Sequence, residues 1–244
     1  MKQRSPKYPL PLIAAALGGV GLLLRLALYL LEEPSGLLPA GHFLHIATVI
    51  LSIVTGALMY KFSRRPGKHT EYKPKAAAFG AFFAGLWLLP VAFGILERAS
   101  GALDVLRTVL AFLSVPSLIL TAWQHFKGRK PHFLTNGILC MFFLSHMICQ
   151  YPLWCGNPQV EDYLLSLLAC VFLSLAAYQR TACDLHMGNR RGLVFCSLMA
   201  GFFCICALVG AGDRRYYLAG ALFALTNLYA IQPPKRQEGP HVSA

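Results

Sequence analysis

What this sequence has least of is charge. Only 13% of its 244 residues are Asp, Glu, Lys or Arg, against 56% hydrophobic residues, whereas a soluble domain carries about 25% charged residues. That shortage excludes a water-soluble globule. A disordered chain is excluded too, because such chains are poor in the apolar residues present here in excess. Acids are scarcer still, 10 against 22 Lys and Arg. Hydrophilic stretches are short: the longest, 61–75, is too small to enclose a core, so no appended soluble domain is expected. Several motifs are missing as well. There is no Cys-x-x-Cys pair, phosphate-binding glycine loop, hydrolase nucleophile elbow or haem attachment motif, so no cofactor or metal is implied.

What is present is a series of apolar runs with a mean hydropathy of +0.54 for the whole chain. Eight of them, 9–31, 38–60, 76–97, 102–123, 133–153, 162–180, 191–212 and 215–232, are long enough to cross a bilayer, which takes about 20 residues as a helix. Runs such as Leu164–Ala177 and Leu193–Ala211 are apolar on every side, as lipid-embedded helices require; membrane strands would alternate. The expected fold is therefore all-α: a polytopic transmembrane bundle of about eight helices in four hairpins, with residues 1–244 forming one integral membrane domain. The N-terminal basic and apolar stretch reads as an uncleaved first span, being too long for a signal-peptide core and lacking a small-residue cleavage site.

The net charge of +12 could suggest a nucleic-acid partner, but its distribution points to lipid. No basic stretch could fold into a nucleic-acid-binding module, and the clusters lie beside apolar runs. Of the 22 Lys and Arg, 17 fall in the N-terminus, 61–75, 124–132, 180–191 and the C-terminal tail, with only Glu71, Asp184 and Glu238 among them. The opposite connections hold Glu32, Glu33, Glu97, Asp104, Glu161, Asp162 and Asp213, with only Arg98, Arg107, Arg214 and Arg215. Since Lys and Arg resist translocation, both termini are expected in the cytoplasm. Tyr60, Trp123, Tyr178 and Tyr229 at the basic ends, and Tyr29, Tyr151, Trp154, Tyr163, Tyr216 and Tyr217 at the others, are expected to mark the headgroup levels.

Small residues four apart mark seams where backbones can approach: Ala14/Gly18, Ala15/Gly19, Ala77/Ala81/Gly85, Gly80/Ala84 and Gly220/Ala224. Six of the eight cysteines lie inside apolar spans, where Cys packs as a small hydrophobe. Pro90 and Pro116 are expected to kink spans three and four.

Ionisable groups inside a bilayer are costly, so each is a site hypothesis. Arg25 sits about 10 Å below the outer end of span one, with Tyr29 and Glu32 on nearly the same face. Span two begins with His42 and continues with a polar stripe, His45, Thr48, Ser52 and Thr55. Asp104 and Arg107 open span four, while His146, Cys149 and Gln150 share a face of span five. Convergence of these faces would make an outward-facing polar pocket, with Arg25 or Arg107 suited to an anion and His45 or His146 to proton exchange. The plainer alternative has Arg25 snorkelling to Glu32 or headgroups and the histidines bonded to backbone. Glu32, Glu33, His42 and His45 make only a weak metal set.

Two shorter motifs are set aside. Gly210-Ala211-Gly212-Asp213 resembles the Gly-x-Gly-Asp of membrane aspartyl proteases over four residues, without a matching second aspartate. Cys183-Asp184-Leu185-His186 reads as a solvated cytoplasmic loop.

The segment from Arg25 to His42, with Leu28-Tyr29, Gly36-Leu37-Leu38 and Gly41-His42, resembles the first hairpin of a family of multi-spanning membrane proteins of anaerobic bacteria. The resemblance implies a bacterial inner membrane and carries no activity with it. The leading functional expectation is a binding or transport module for a small molecule or ion. The alternatives are a non-catalytic membrane subunit, holding a membrane or cytoplasmic protein partner through its seams and basic loop, and an intramembrane enzyme acting on lipid with His45 or His146 as base.

Overall fold

In lipid every backbone polar group must be satisfied within its own segment, and the chain meets that demand with helices. The computed structural model describes residues 10–35, 43–64, 72–155, 160–210 and 213–231, and among them there is no strand. In chain order the helices are α1 (Leu10–Ser35), α2 (Phe43–Ser63), α3 (Pro74–Glu97), α4 (Ala102–Phe126), α5 (Phe133–Cys155), α6 (Val160–Asp184), α7 (Arg190–Cys206) and α8 (Arg214–Asn227), the last continued by a 3-10 turn, Leu228–Ala230. The expected all-α bundle is what the sequence builds.

Among the described residues six helices, α1 to α6, are long and apolar enough to cross a membrane. Their surfaces carry large exposed side chains such as Leu23, Ile53, Phe79, Phe93, Leu106 and Leu120. An apolar surface of this extent is incompatible with water and natural against acyl chains. The protein is an integral membrane protein.

The last two helices are shorter than expected. With 17 and 14 residues, α7 and α8 span about 25 and 21 Å, less than the roughly 30 Å hydrocarbon layer. The expected spans 191–212 and 215–232 are thus cut at their ends. The reason is local. Beyond Cys206 the chain enters a turn through 207–210, where Gly210 takes a φ of +155°. Asp213 then caps α8, its side chain accepting the Arg215 N–H at 3.0 Å. The resemblance of Asp213 to a protease aspartate therefore has a structural explanation. At its other end α8 tightens into the 3-10 turn ahead of Pro233 and Pro234, which cannot continue a helix.

Helices α3 to α8 pack in chain order and α8 returns to α3, closing a ring; the α1–α2 hairpin leans on α7 from outside. The ring is filled rather than open. Phe142 and Phe143 of α5 reach Tyr216 of α8 at centroid distances of 6.1 and 6.0 Å, and Phe143 meets Phe223 at 5.6 Å. Tyr216, Tyr217, Phe142 and Phe202 are among the fully buried side chains, so Tyr216 and Tyr217, expected at the outer headgroup level, pack in the core instead, because the first turn of α8 is enclosed by its neighbours.

Close backbone approach holds the ring together. A Cβ on Gly80 would fall inside the Thr226 side chain, one on Gly201 would lie 2.8 Å from Leu225, and one on Gly220 would lie 2.6 Å from Leu173. On α1 the buried positions are Leu10, Ala14, Gly18, Gly21, Arg25 and Leu28, a stripe at three- and four-residue spacing. A Cβ on Gly18 would lie 2.9 Å from Ile205. Gly19 has nothing within 4 Å, so of the two expected α1 seams only Ala14/Gly18 is a close approach. Both Pro90 and Pro116 lie within continuous helices.

A basic cleft as candidate functional site

The helix ends that the sequence assigns to the basic side meet around a cleft of about 220 Å³. Two helix caps shape it. At the end of α4 the Gly128 N–H donates to His125 O at 3.0 Å and the Arg129 N–H to Gln124 O at 2.8 Å, with Gly128 at a φ of +67°. At the end of α6 the same pair of bonds recurs: His186 N–H to Cys183 O at 3.1 Å and Met187 N–H to Ala182 O at 2.9 Å. These are Schellman caps, whose left-handed position favours glycine. In α6 that position is His186, with a φ of +65°. The returning chain passes so close to α6 that a Cβ on Gly188 would overlap the Cys183 backbone. Asn189 caps α7 by accepting the Arg191 N–H at 3.0 Å.

The caps aim charge into the cleft. Arg129, Lys130, Arg180 and Arg190 line it, together with His125, His186 and Tyr72, and the only carboxylate among the lining residues is Asp184. Arg180 is 5% exposed, and its Nε meets Asp184 Oδ1 at 3.4 Å. Asn136 Nδ2 donates to the other carboxylate oxygen at 2.7 Å. Asp184 thus orients Arg180 by one edge while the guanidinium still lines the cleft. Lys130 Nζ lies 3.1 Å from His186 Nε2. The N-terminus of α7, with its positive dipole end, opens on the same space through Gly188 and Arg190. Four cations against one acid, one of them the buried and oriented Arg180, together with a helix N-terminus form a receptor for negative charge.

The reading of 183–186 as a solvated loop holds for the exposed turn at Leu185 and His186 and is corrected for Cys183 and Asp184, which are half-buried and belong to α6. Leu185 is exposed, but Asp184 is the last residue of α6 and its side chain is 7% exposed, since a lone acid among inward-facing cations is drawn into their pair. A signal was available, an Arg and an Asp four apart at a span's basic end. Asn136 and His125 carried none.

The residues singled out from the sequence fall in two groups. Arg25 and His45 line one cleft with Thr48 and Ser52, between α1, α2 and α6. Asp104 and Arg107 form an ion pair at 2.9 Å on α4 and do not line that cleft. His146 of α5 stacks on Tyr216 at 3.9 Å and 16°, and its Nδ1 has no hydrogen-bond partner among the described residues. Tyr29 is exposed and Gln150 half-buried. His42 and the side chains of Glu32 and Glu33 lie outside the described residues. Among the described residues no group of three His, Cys, Asp or Glu could hold a metal.

Both fold and site thus define an all-α integral membrane protein with a cationic cleft at one end of its bundle. Comparison with family models, curated proteins and solved structures finds no match to this chain.

Proposed function

We propose that this chain is a bacterial inner-membrane protein, termini in the cytoplasm, that binds a small anionic solute in the basic cleft as a carrier or sensor of it. The orientation follows from the one-sided distribution of Lys and Arg, and the bacterial membrane from the resemblance of the first hairpin. Cation–π contacts at the basic end fit the headgroup level: Arg64 and Arg191 lie 5.1 and 4.8 Å from the Tyr60 ring centroid, and Lys127 lies 4.4 Å from that of Trp123.

One observation carries the reading. Arg180, withdrawn from water and held by Asp184, borders a concave space whose other charged walls are cationic. At about 220 Å³ the cleft is smaller than the roughly 300–1,000 Å³ of drug-sized sites, which suits an anion such as phosphate or a short carboxylate.

Calorimetric titration of the protein in zwitterionic nanodiscs with inorganic phosphate, sulfate and succinate tests binding. At least one anion should bind with salt-sensitive affinity, weakened about tenfold or more when the exposed pair is replaced (Arg129→Gln with Lys130→Gln). Absence of heat with all three, or binding indifferent to that double variant, would refute the reading. Uptake of the bound anion into proteoliposomes separates carrier from sensor.

A further inference from the structure

The charged groups of the basic cleft are sorted by depth. Arg129, Lys130 and Arg190 are exposed and form its rim, with Lys130 Nζ 3.1 Å from His186 Nε2. Arg180 and Asp184 lie deeper and side by side, their side chains 6% and 7% exposed. A cationic rim draws small anions in from water. What they meet below it is a donor next to an acceptor.

Pairing with Arg180 does not exhaust Asp184. A carboxylate offers about four acceptor positions on its two oxygens. Asn136 Nδ2 fills one on Oδ2 at 2.7 Å, and Arg180 Nε stands 3.4 Å from Oδ1. That second contact is an ion pair without hydrogen-bond alignment, since Arg180 Nε has no hydrogen-bond partner among the described residues. Asn136 is 1% exposed on α5, so the carboxylate is anchored to a second helix and held at the cleft. A buried donor and a carboxylate with acceptor capacity to spare therefore border the same space.

An acid inside an anion receptor acts as a filter. It repels a fully deprotonated anion, and it accepts a hydrogen bond from an anion that still carries a hydroxyl. We propose that the cleft selects hydroxyl-bearing oxyanions, inorganic phosphate foremost, and that Asp184 is the selecting residue: Arg180 holds an unprotonated oxygen while Asp184 accepts the P–OH hydrogen. At neutral pH inorganic phosphate keeps at least one hydroxyl, whereas sulfate keeps none. A phosphate monoester, with a second pKa of about 6, has mostly lost its own. The proposal rests on the solute reading of the cleft and names the solute.

The test is calorimetric titration at neutral pH, in zwitterionic nanodiscs, with phosphate, sulfate and fluorophosphate, the last a near-isostere of hydrogen phosphate without the hydroxyl. Wild type should bind phosphate at least about thirtyfold more tightly than either, the worth of one hydrogen bond to a charged group. Asp184→Asn should shrink that ratio to about threefold or less, because an amide also donates to sulfate; a merely structural loss would weaken all three anions alike and leave the ratio intact. If that variant does not fold, phosphate against fluorophosphate on wild type decides alone. Phosphatidic acid added to the nanodiscs should leave the phosphate affinity unchanged, and competition would assign the cleft to a lipid headgroup and overturn the solute. Sulfate or fluorophosphate bound as tightly as phosphate, a preference that survives Asp184→Asn, or succinate bound where phosphate is not, would overturn the proposal and leave the solute reading standing. No heat with any anion would overturn both.

Discussion

Replacing Gly80 with Ala tests how the ring closes. Gly80 is where α3 meets α8, and a Cβ there would sit on Thr226 Cγ2 and 2.7 Å from Thr226 Cβ. Thr226 cannot easily swing away, because its hydroxyl donates to Leu222 O at 2.7 Å and lies 3.0 Å from Phe223 O. Two effects oppose each other. A Gly-to-Ala change in a helix gains about 1 kcal/mol in propensity, while forcing a methyl into a packed interface costs about 1–3 kcal/mol. Gly19 supplies the control, since a Cβ there meets nothing within 4 Å. Gly19→Ala should therefore keep the propensity gain without the clash. The difference between the two variants isolates the packing cost, about 1–3 kcal/mol in favour of Gly19→Ala. Thermal unfolding in one detergent, followed by size-exclusion recovery, measures it. Adding Thr226→Ser to Gly80→Ala removes Cγ2, keeps the hydroxyl and should recover part of the loss. If Gly80→Ala matches Gly19→Ala, α3 and α8 do not approach this closely and the closed ring is wrong.

Other predictions concern the basic end. Asp184→Asn deprives the buried Arg180 of its counter-charge and should destabilise the protein by about 3 kcal/mol, the low end for a broken buried pair because the cleft admits water; unfolding that matches wild type would show the pair to be idle. His186→Gly relieves a left-handed backbone and should raise stability by about 1 kcal/mol, read in the same melt; a lower melting point would mean that the imidazole contributes more than its backbone strain. For orientation, Met187→Cys places a thiol where the native side chain is 87% exposed. An impermeant maleimide should label it only after the cells are permeabilised, and labelling of intact cells beyond the parent's level would invert the topology.

Much of this architecture is readable because lipid imposes one strong rule at a time. Apolar runs such as 76–97 and 102–123 became α3 and α4 with ends shifted by a few residues, since a spanning segment has no alternative to helix. The polar stripe of span two was legible as well, and His45, Thr48 and Thr55 are buried in α2. Where the rule weakens, so does the reading. The apolar runs 191–212 and 215–232 look like full spans, yet turn and capping geometry at Gly210 and Asp213 shortens them, because helices buried among other helices need not match the bilayer.

Composition and charge order alone determined that the chain is a helical membrane protein and which helix ends share a side, because partition into lipid and resistance to translocation act on each segment separately. Which side chains meet was decided by tertiary structure. Arg180 faces the same space as Lys130 and Arg190 only because α4 and α6 end where α7 begins, and Arg25 and His45 share a cleft that Arg107 does not line because α1 and α2 lean on α7 outside the ring. Such meetings depend on small residues that allow close approach between particular helix pairs, and a stripe like Ala15/Gly19 looks the same in sequence whether or not a partner lies against it.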